Sequence, residues 1–242
     1  MSKDSGWRGG RPWVRRDWRH TSLQFKGSVT QSRMSNLFPH LLDVGYTRTM
    51  LAALLLNPKP RSIGVVGLGG GSQAKFCHRH LPEARIEAIE VSADVLALRD
   101  AFRIPPDGER FVATLGDAAR VLRQRRGAYD LLLIDAYDPY GLPDALSTRD
   151  FYADCRASLC DGGALASNLY DTDLRRHRAN LCHAFDDKAV FLDEPKMSNK
   201  VAFAWVGDIG GLDAANAVAG MPWLARRQLL PGLKRLQMAL SG

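Results

Sequence analysis

The chain has only four cysteines, Cys77, Cys155, Cys160 and Cys182, and no pair has C-x-x-C spacing. This points away from a disulfide frame and predicts an intracellular set of buried thiols. Long apolar runs are also missing. The longest, Met50 to Leu56, is too short to cross a bilayer. Lys3, Arg8, Arg11, Arg15 and Arg16 precede no apolar segment, so no secretory signal is expected and a cytoplasmic location is. No internal repeat or low-complexity tract is evident. No G-K-[ST] follows the glycine-rich segment, which excludes a phosphate-binding P-loop.

What is present is a series of apolar runs, each ending in glycine or an acid. Ile63 to Val66 leads into Gly67, Gly69, Gly70 and Gly71, followed by a helical pattern over Ala74 to His80. Glycines at a strand end let backbone N–H groups approach a ligand where a Cβ would block it. A second run ends at Glu90, 23 positions after Gly67, where an acid can take both ribose hydroxyls of an adenosine. The third ends at Asp117 in G-D-A-A. That carboxylate can accept from an adenine amine, cap a helix over Ala118 to Gln124, or do both. Ser72 stands where a dinucleotide fingerprint wants Gly or Ala, which disfavours a snug pyrophosphate turn. The pattern points to a nucleoside ligand at the carboxyl ends of a parallel sheet.

The fourth run ends in Asp135-Ala136-Tyr137-Asp138-Pro139-Tyr140-Gly141. Two carboxylates three residues apart at a strand end would face the same cleft as the nucleoside, one holding an ammonium group and the other removing its proton. An amine of pKa near 10 is a nucleophile only when deprotonated, so this pair suits amine alkylation. A turn-forming Asp plus a helix cap is the alternative. Farther on, a run over Gly163 to Tyr170 and a helix near Leu174 to Phe185 precede two strands, Ala189 to Leu192 and Val201 to Val206. The gap between these strands is too short for a crossover helix, so they should pair as an antiparallel hairpin.

With T-Q-S-x-M (Thr30 to Met34), Tyr46, G-L-G-G-G-S, I-E-V, G-D and D-A-Y-D-P-Y-G in this order, the chain resembles the spermidine synthase family of polyamine aminopropyltransferases, in particular its bacterial spermidine synthase-like branch. The resemblance covers roughly residues 23 to 207. It implies a class I S-adenosylmethionine-dependent methyltransferase-like α/β fold, Rossmann-like, with a mostly parallel sheet, an antiparallel final hairpin and a short amino-terminal β-hairpin. It implies transfer of an aminopropyl group from decarboxylated S-adenosylmethionine to a small-molecule amine, with release of methylthioadenosine. Asp135 would be the catalytic base, and Asp138, Tyr46, Tyr137 and Gln31 would bind substrate. Gly67, Gly69, Gly70, Gly71, Glu90 and Asp117 would hold the nucleoside, and no metal is called for.

The sequence departs from that family at Ser72, where spermidine-forming members carry Asp, and at Tyr46-Thr47-Arg48, where they carry Tyr-His-Glu or Tyr-Gln-Glu. A cationic acceptor thereby loses a carboxylate and meets an arginine. The formal net charge of +7 also favours an anionic partner. Lys75, one turn into the helix, is either a contact for the carboxylate of intact S-adenosylmethionine or a solvated residue. The alternatives are therefore an S-adenosylmethionine-dependent methyltransferase and a non-catalytic nucleoside or nucleic-acid-binding protein.

With 45% hydrophobic residues in 242, one α/β domain over residues 37–242 is expected after a basic extension and hairpin over residues 1–36. That hairpin should turn at Lys26-Gly27 and lead into a helix from Leu37 to Leu56. Trp7, Trp13 and Trp18 among arginines suit either a nucleic-acid-binding arm or a packed or frayed extension. Arg175 to Arg178 read as a solvated helix face. Leu229, Leu233, Leu236 and Leu240 predict an amphipathic terminal helix that packs on the sheet or on a partner subunit, so a homodimer is one option. Cys77, His78 and His80 are clustered, but on a helix His78 and His80 point to different sides, since only positions three or four apart meet.

Overall fold

The computed structural model describes residues 10–25, 30–138, 141–195 and 197–242, with residues 30 and 31 by backbone alone. Three short strands come first: β1 (Trp13–Arg16), β2 (His20–Gln24) and β3 (Thr30–Ser35). They form an antiparallel sheet in the order β1-β2-β3. The expected two-stranded hairpin is thus a three-stranded sheet. β1 was illegible because W-V-R-R shows no alternation. It is held by backbone pairing to β2 and by a turn in which Asp17 accepts from the Arg19 and His20 amides, both at 2.7 Å. Trp13 and Trp18 are exposed, and the Arg19 guanidinium lies over the Trp18 ring, so this segment is strand and turn. Trp7 and the Lys26-Gly27 turn lie outside the described residues.

α1 (Gly45–Met50) continues into a 3-10 turn over Leu51–Leu55. The expected helix from Leu37 is corrected here: residues 37–44 are irregular, with Pro39 disfavouring helical geometry at Phe38 and Val44 extended before the helix begins. The alternating part follows with β4 (Ser62–Val66), α2 (Ser72–His80), β5 (Arg85–Glu90), α3 (Ala93–Leu96), β6 (Phe111–Leu115), α4 (Ala118–Arg123) and β7 (Tyr129–Ile134). The rest comprises α5 (Arg149–Ser158), β8 (Leu159–Leu169), α6 (Leu174–Ala184), β9 (Ala189–Asp193), β10 (Lys200–Trp205) and α7 (Trp223–Ser241).

The large sheet has seven strands in the order β6-β5-β4-β7-β8-β10-β9. β4 lies between β5 and β7, both parallel to it, while β10 runs antiparallel to β8 and β9. The order reverses beside β4, and ligands of open α/β sheets bind at such a switch point. This is the class I methyltransferase-like arrangement with its final antiparallel hairpin.

Apolar side chains fill both faces of the sheet. On one, Met50, Leu54, Phe76 and Phe102 pack with Leu229, Leu233 and Leu236 of α7. On the other, Leu122, Phe151, Tyr152, Leu181 and Phe185 cover Leu132, Ile134 and Leu165. α7 packs against α1, its 3-10 continuation and β9 within the same chain. The basic run on α6 is not a uniform solvated face. His177 is fully buried, bonded through its ring nitrogens to the Tyr152 hydroxyl at 2.7 Å and the Thr172 hydroxyl at 2.9 Å. Only Cys77 and Cys155 are buried thiols; Cys160 and Cys182 are partly exposed.

Candidate active site

The carboxyl ends of β4 to β8, together with β2 and β3 of the small sheet, enclose a cleft of about 1320 Å³. Its floor begins at Gly67, which has φ +88° and lies against the backbone of the next strand's end. A Cβ built there would come 2.8 Å from the carbonyl carbon of Asp135 and 2.9 Å from Ala136 Cα, so only glycine fits. The two loops are also joined where Asp135 N–H donates to the Val66 carbonyl at 2.8 Å. Gly69 has φ +49° and an open Cβ direction apart from Ser32 at 3.7 Å, and it lines the cleft with Gly67. Gly70 and Gly71 pack away from it, against Ser32, Phe102 and Ile104.

Glu90 ends β5 and is buried against this loop. One of its oxygens accepts from Leu68 N–H at 3.0 Å and Gly69 N–H at 3.4 Å, and the other from Ser92 N–H at 2.9 Å. Burial raises its pKa, and these amides partly offset that by stabilising the charge. Each carboxylate oxygen has two lone pairs, so capacity for ribose hydroxyls remains. Asp117, after β6, lines the cleft and caps α4 through Ala119 N–H at 2.9 Å. The cap leaves its second oxygen available to a ligand. A carboxylate at each of two adjacent strand ends, beside a glycine turn with an open Cβ direction, fits an adenosine moiety.

Asp135 sits at the end of β7. Its Oδ1 accepts from Asn168 Nδ2 at 3.0 Å, and Gln73 Nε2 lies 3.5 Å from Oδ2. The Tyr46 hydroxyl on α1 also bonds to this carboxylate. Burial pushes the Asp135 carboxyl up to about 6, against the lowering pull of Asn168 and Tyr46. Asp138 is buried at the cleft wall, its backbone bridged to Gly141. Tyr137 lines the cleft with its ring, while its hydroxyl donates to the Asn168 carbonyl at 2.9 Å and accepts from Tyr170 N–H at 2.6 Å. The Gln31 side chain, Pro139 and Tyr140 lie outside the described residues. Asn168, Asn199 and Gln73 were not singled out from sequence. The signal for Asn168 was a polar side chain at the carboxyl end of an apolar strand.

Three charge expectations are corrected by side-chain direction. Lys75 is neither solvated nor in the cleft: its ammonium is buried and donates to the Phe102 carbonyl at 2.7 Å. Burial, with Arg103 nearby, pulls it down to about 7. Arg48 also points away, donating through Nε to the Leu42 carbonyl at 2.7 Å. The net positive charge does not extend into the cleft. Among the described residues, Asp17, Glu90, Asp117, Asp135, Asp138, Asp144 and Asp171 line it against Arg15 and Arg33, and Arg33 is paired with Asp43. No group of three or more His, Cys, Asp or Glu among the described residues could hold a metal ion. No helix among them is long and apolar enough to cross a membrane.

A glycine turn beside paired carboxylates, on a parallel sheet with an antiparallel final hairpin, is the arrangement of the S-adenosylmethionine-dependent transferase fold. No family model matches the chain. It is 32% identical over 187 residues to the polyamine aminopropyltransferase of Chromobacterium violaceum, spanning 76% of this chain and 72% of that one. A probable spermidine synthase from Corynebacterium glutamicum superposes with a TM-score of 0.72 at 18% identity, over 92% of each chain. A spermidine synthase in complex with the transition-state analogue AdoDATO gives 0.65 at 16% identity, over 92% of this chain and 89% of that one. These two likenesses show the fold. The sequence match shows that the chain belongs to the polyamine aminopropyltransferase family, and with it an enzyme of aminopropyl transfer in polyamine biosynthesis.

Proposed function

We propose that the chain transfers an aminopropyl group from decarboxylated S-adenosylmethionine to a small amine, with Asp135 as the base. The observation that carries this reading is a buried carboxyl of raised proton affinity at the end of β7, in a cleft lined by carboxylates. A base whose pKa lies near the working pH both exists ionised and takes a proton readily. Asp138 and Asp171 would hold the ammonium groups of the acceptor, with Tyr46 and Tyr137 as apolar walls. Gly67, Gly69, Glu90 and Asp117 would seat the nucleoside, and Gly70 and Gly71 would shape the turn beneath it. Asp135 would take the proton from the acceptor's ammonium. The freed nitrogen would then form a bond to the propyl carbon as the carbon–sulfur bond breaks and methylthioadenosine leaves.

The orientations of Lys75 and Arg48 support the decarboxylated form. Neither cation reaches the cleft to meet the carboxylate of intact S-adenosylmethionine. Calorimetric titration with S-adenosylmethionine, its decarboxylated form and methylthioadenosine tests this. Tighter binding of the decarboxylated form, with methylthioadenosine close behind, is expected. A preference for the intact cofactor would make the enzyme a methyltransferase instead. Glu90→Gln should weaken methylthioadenosine binding by on the order of tenfold to a hundredfold, because one charged acceptor for hydroxyls and loop amides is lost. Unchanged affinity in the same titration would remove Glu90 from the nucleoside site.

A further inference from the structure

The Asp135 carboxylate accepts from the Tyr46 hydroxyl, and its two oxygens meet the neighbouring amides differently. Asn168 donates to Oδ1 at 3.0 Å, whereas Gln73 Nε2 stands 3.5 Å from Oδ2, at the limit of a hydrogen bond. A carboxylate only accepts, so the Asn168 amide must turn its NH2 toward Asp135 and its oxygen away. That oxygen accepts from Asn199 Nδ2 at 2.9 Å. The strand register explains the meeting. Val201 lies opposite Asn168 and Lys200 opposite Leu169, so one step further Asn199 falls beside Tyr170, diagonal to Asn168 on the same face. Asn199 is itself 6% exposed, and its carbonyl accepts from Glu194 N–H at 2.9 Å across the β9–β10 connection. Removing its donor would free the Asn168 amide to rotate by half a turn and present oxygen to Asp135.

We propose that Asn199 is a positioning residue for the transfer: by donating to Asn168 it fixes which way that amide faces, so that Asp135 Oδ1 stays hydrogen-bonded and Oδ2 receives the amine proton. This rests on the reading of Asp135 as the base. The titratable groups around Asp135 are Tyr46 from α1, Tyr137 and Asp138 from its own loop, and Asp171 from the loop after β8. α2 presents neutral Gln73 on this side, with Lys75 turned to Phe102. With those groups unchanged, loss of the Asn168 donor removes a hydrogen bond that favours the ionised form.

The test is a carbon-13 NMR titration of protein labelled at the aspartate carboxyls, with the Asp135 signal assigned by its absence in Asp135→Asn. Asn199→Ala should move the Asp135 midpoint up by about one pH unit. The acidic limb of the pH–rate profile with decarboxylated S-adenosylmethionine and 1,4-diaminobutane should move with it. Asn199→Leu, which fills the space without a donor, carries the same expectation should Asn199→Ala fail to fold. A wild-type midpoint in a folded Asn199 variant overturns the proposal, even where Asp135→Asn is inactive. Full activity in Asp135→Asn instead removes the base itself, and the NMR midpoint still reports whether Asn199 orients Asn168.

Discussion

Asp135→Asn should lower the rate of aminopropyl transfer by on the order of 10³-fold while leaving methylthioadenosine affinity within about twofold, because it removes a proton acceptor without changing size. The same substitution should stabilise the fold. Folding raises the proton affinity of this carboxyl from the ordinary aspartate range to about 6. The native state therefore favours the neutral acid. Its contribution to stability is fully present below about pH 4, the unfolded pKa, and is lost as the pH rises through the folded value. At pH 7 to 8 the ionised group costs up to about 3 kcal/mol, and an asparagine, which cannot ionise, escapes that cost. Chemical denaturation at pH 5 and pH 8 measures it: the gain should be larger at pH 8. A variant that transfers at near wild-type rate, or is less stable at pH 8, contradicts the assignment. In the unmodified enzyme the transfer rate should fall as pH drops below about 6, following the ionised fraction.

Gly67→Ala is the second large effect. Its φ of +88° disfavours any side chain, and the new Cβ would press on the carbonyl carbon of Asp135 and on Ala136 Cα. Both loops would have to part. A displacement of about 1 Å at a reacting group can cost on the order of 100-fold in rate, so transfer should fall at least that far. Nucleoside affinity should fall with it, because the same movement opens the turn. Paired kinetics and calorimetry distinguish this from Asp135→Asn, in which only the rate falls. A Gly67→Ala variant with intact binding and rate would show that the contact between the loops is dispensable.

These two sites were legible in the sequence because parallel strands bring their carboxyl ends to one edge. The order of runs ending in Gly67, Glu90, Asp117 and Asp135 already encodes their convergence, whatever the details of packing. Side-chain direction was not legible in the same way. Lys75, one turn into the helix after the glycines, reads as either a cleft cation or a solvated residue, and Arg48, two residues after Tyr46, as a cation met by the acceptor. Each turns to a backbone carbonyl that packing brings near, Phe102 and Leu42. The Asn168–Asn199 pair depends on the register between β8 and β10, which no local pattern fixes. The helix expected from Leu37 starts only at Gly45, because Pro39 disfavours helical geometry at Phe38 and the chain is still extended at Val44. The strand at Trp13–Arg16 is held mainly by backbone pairing to β2 and the Asp17 turn, with Val14 its one residue packed on the core, so its sequence carries little trace of it.

The carboxylates gathered in the cleft of a chain with net charge +7 have a consequence for capture. At physiological ionic strength the Debye length is about 8 Å, so a polycation approaching from bulk solvent meets a weak net repulsion and feels the cleft's attraction only near its mouth. Near and far fields thus have opposite signs. Added salt screens the outer repulsion before the short-range attraction, so for the proposed small-amine acceptor moderate ionic strength should speed entry, which transfer rates over a salt series would show. Selection among amine acceptors would then rest on contacts inside the cleft.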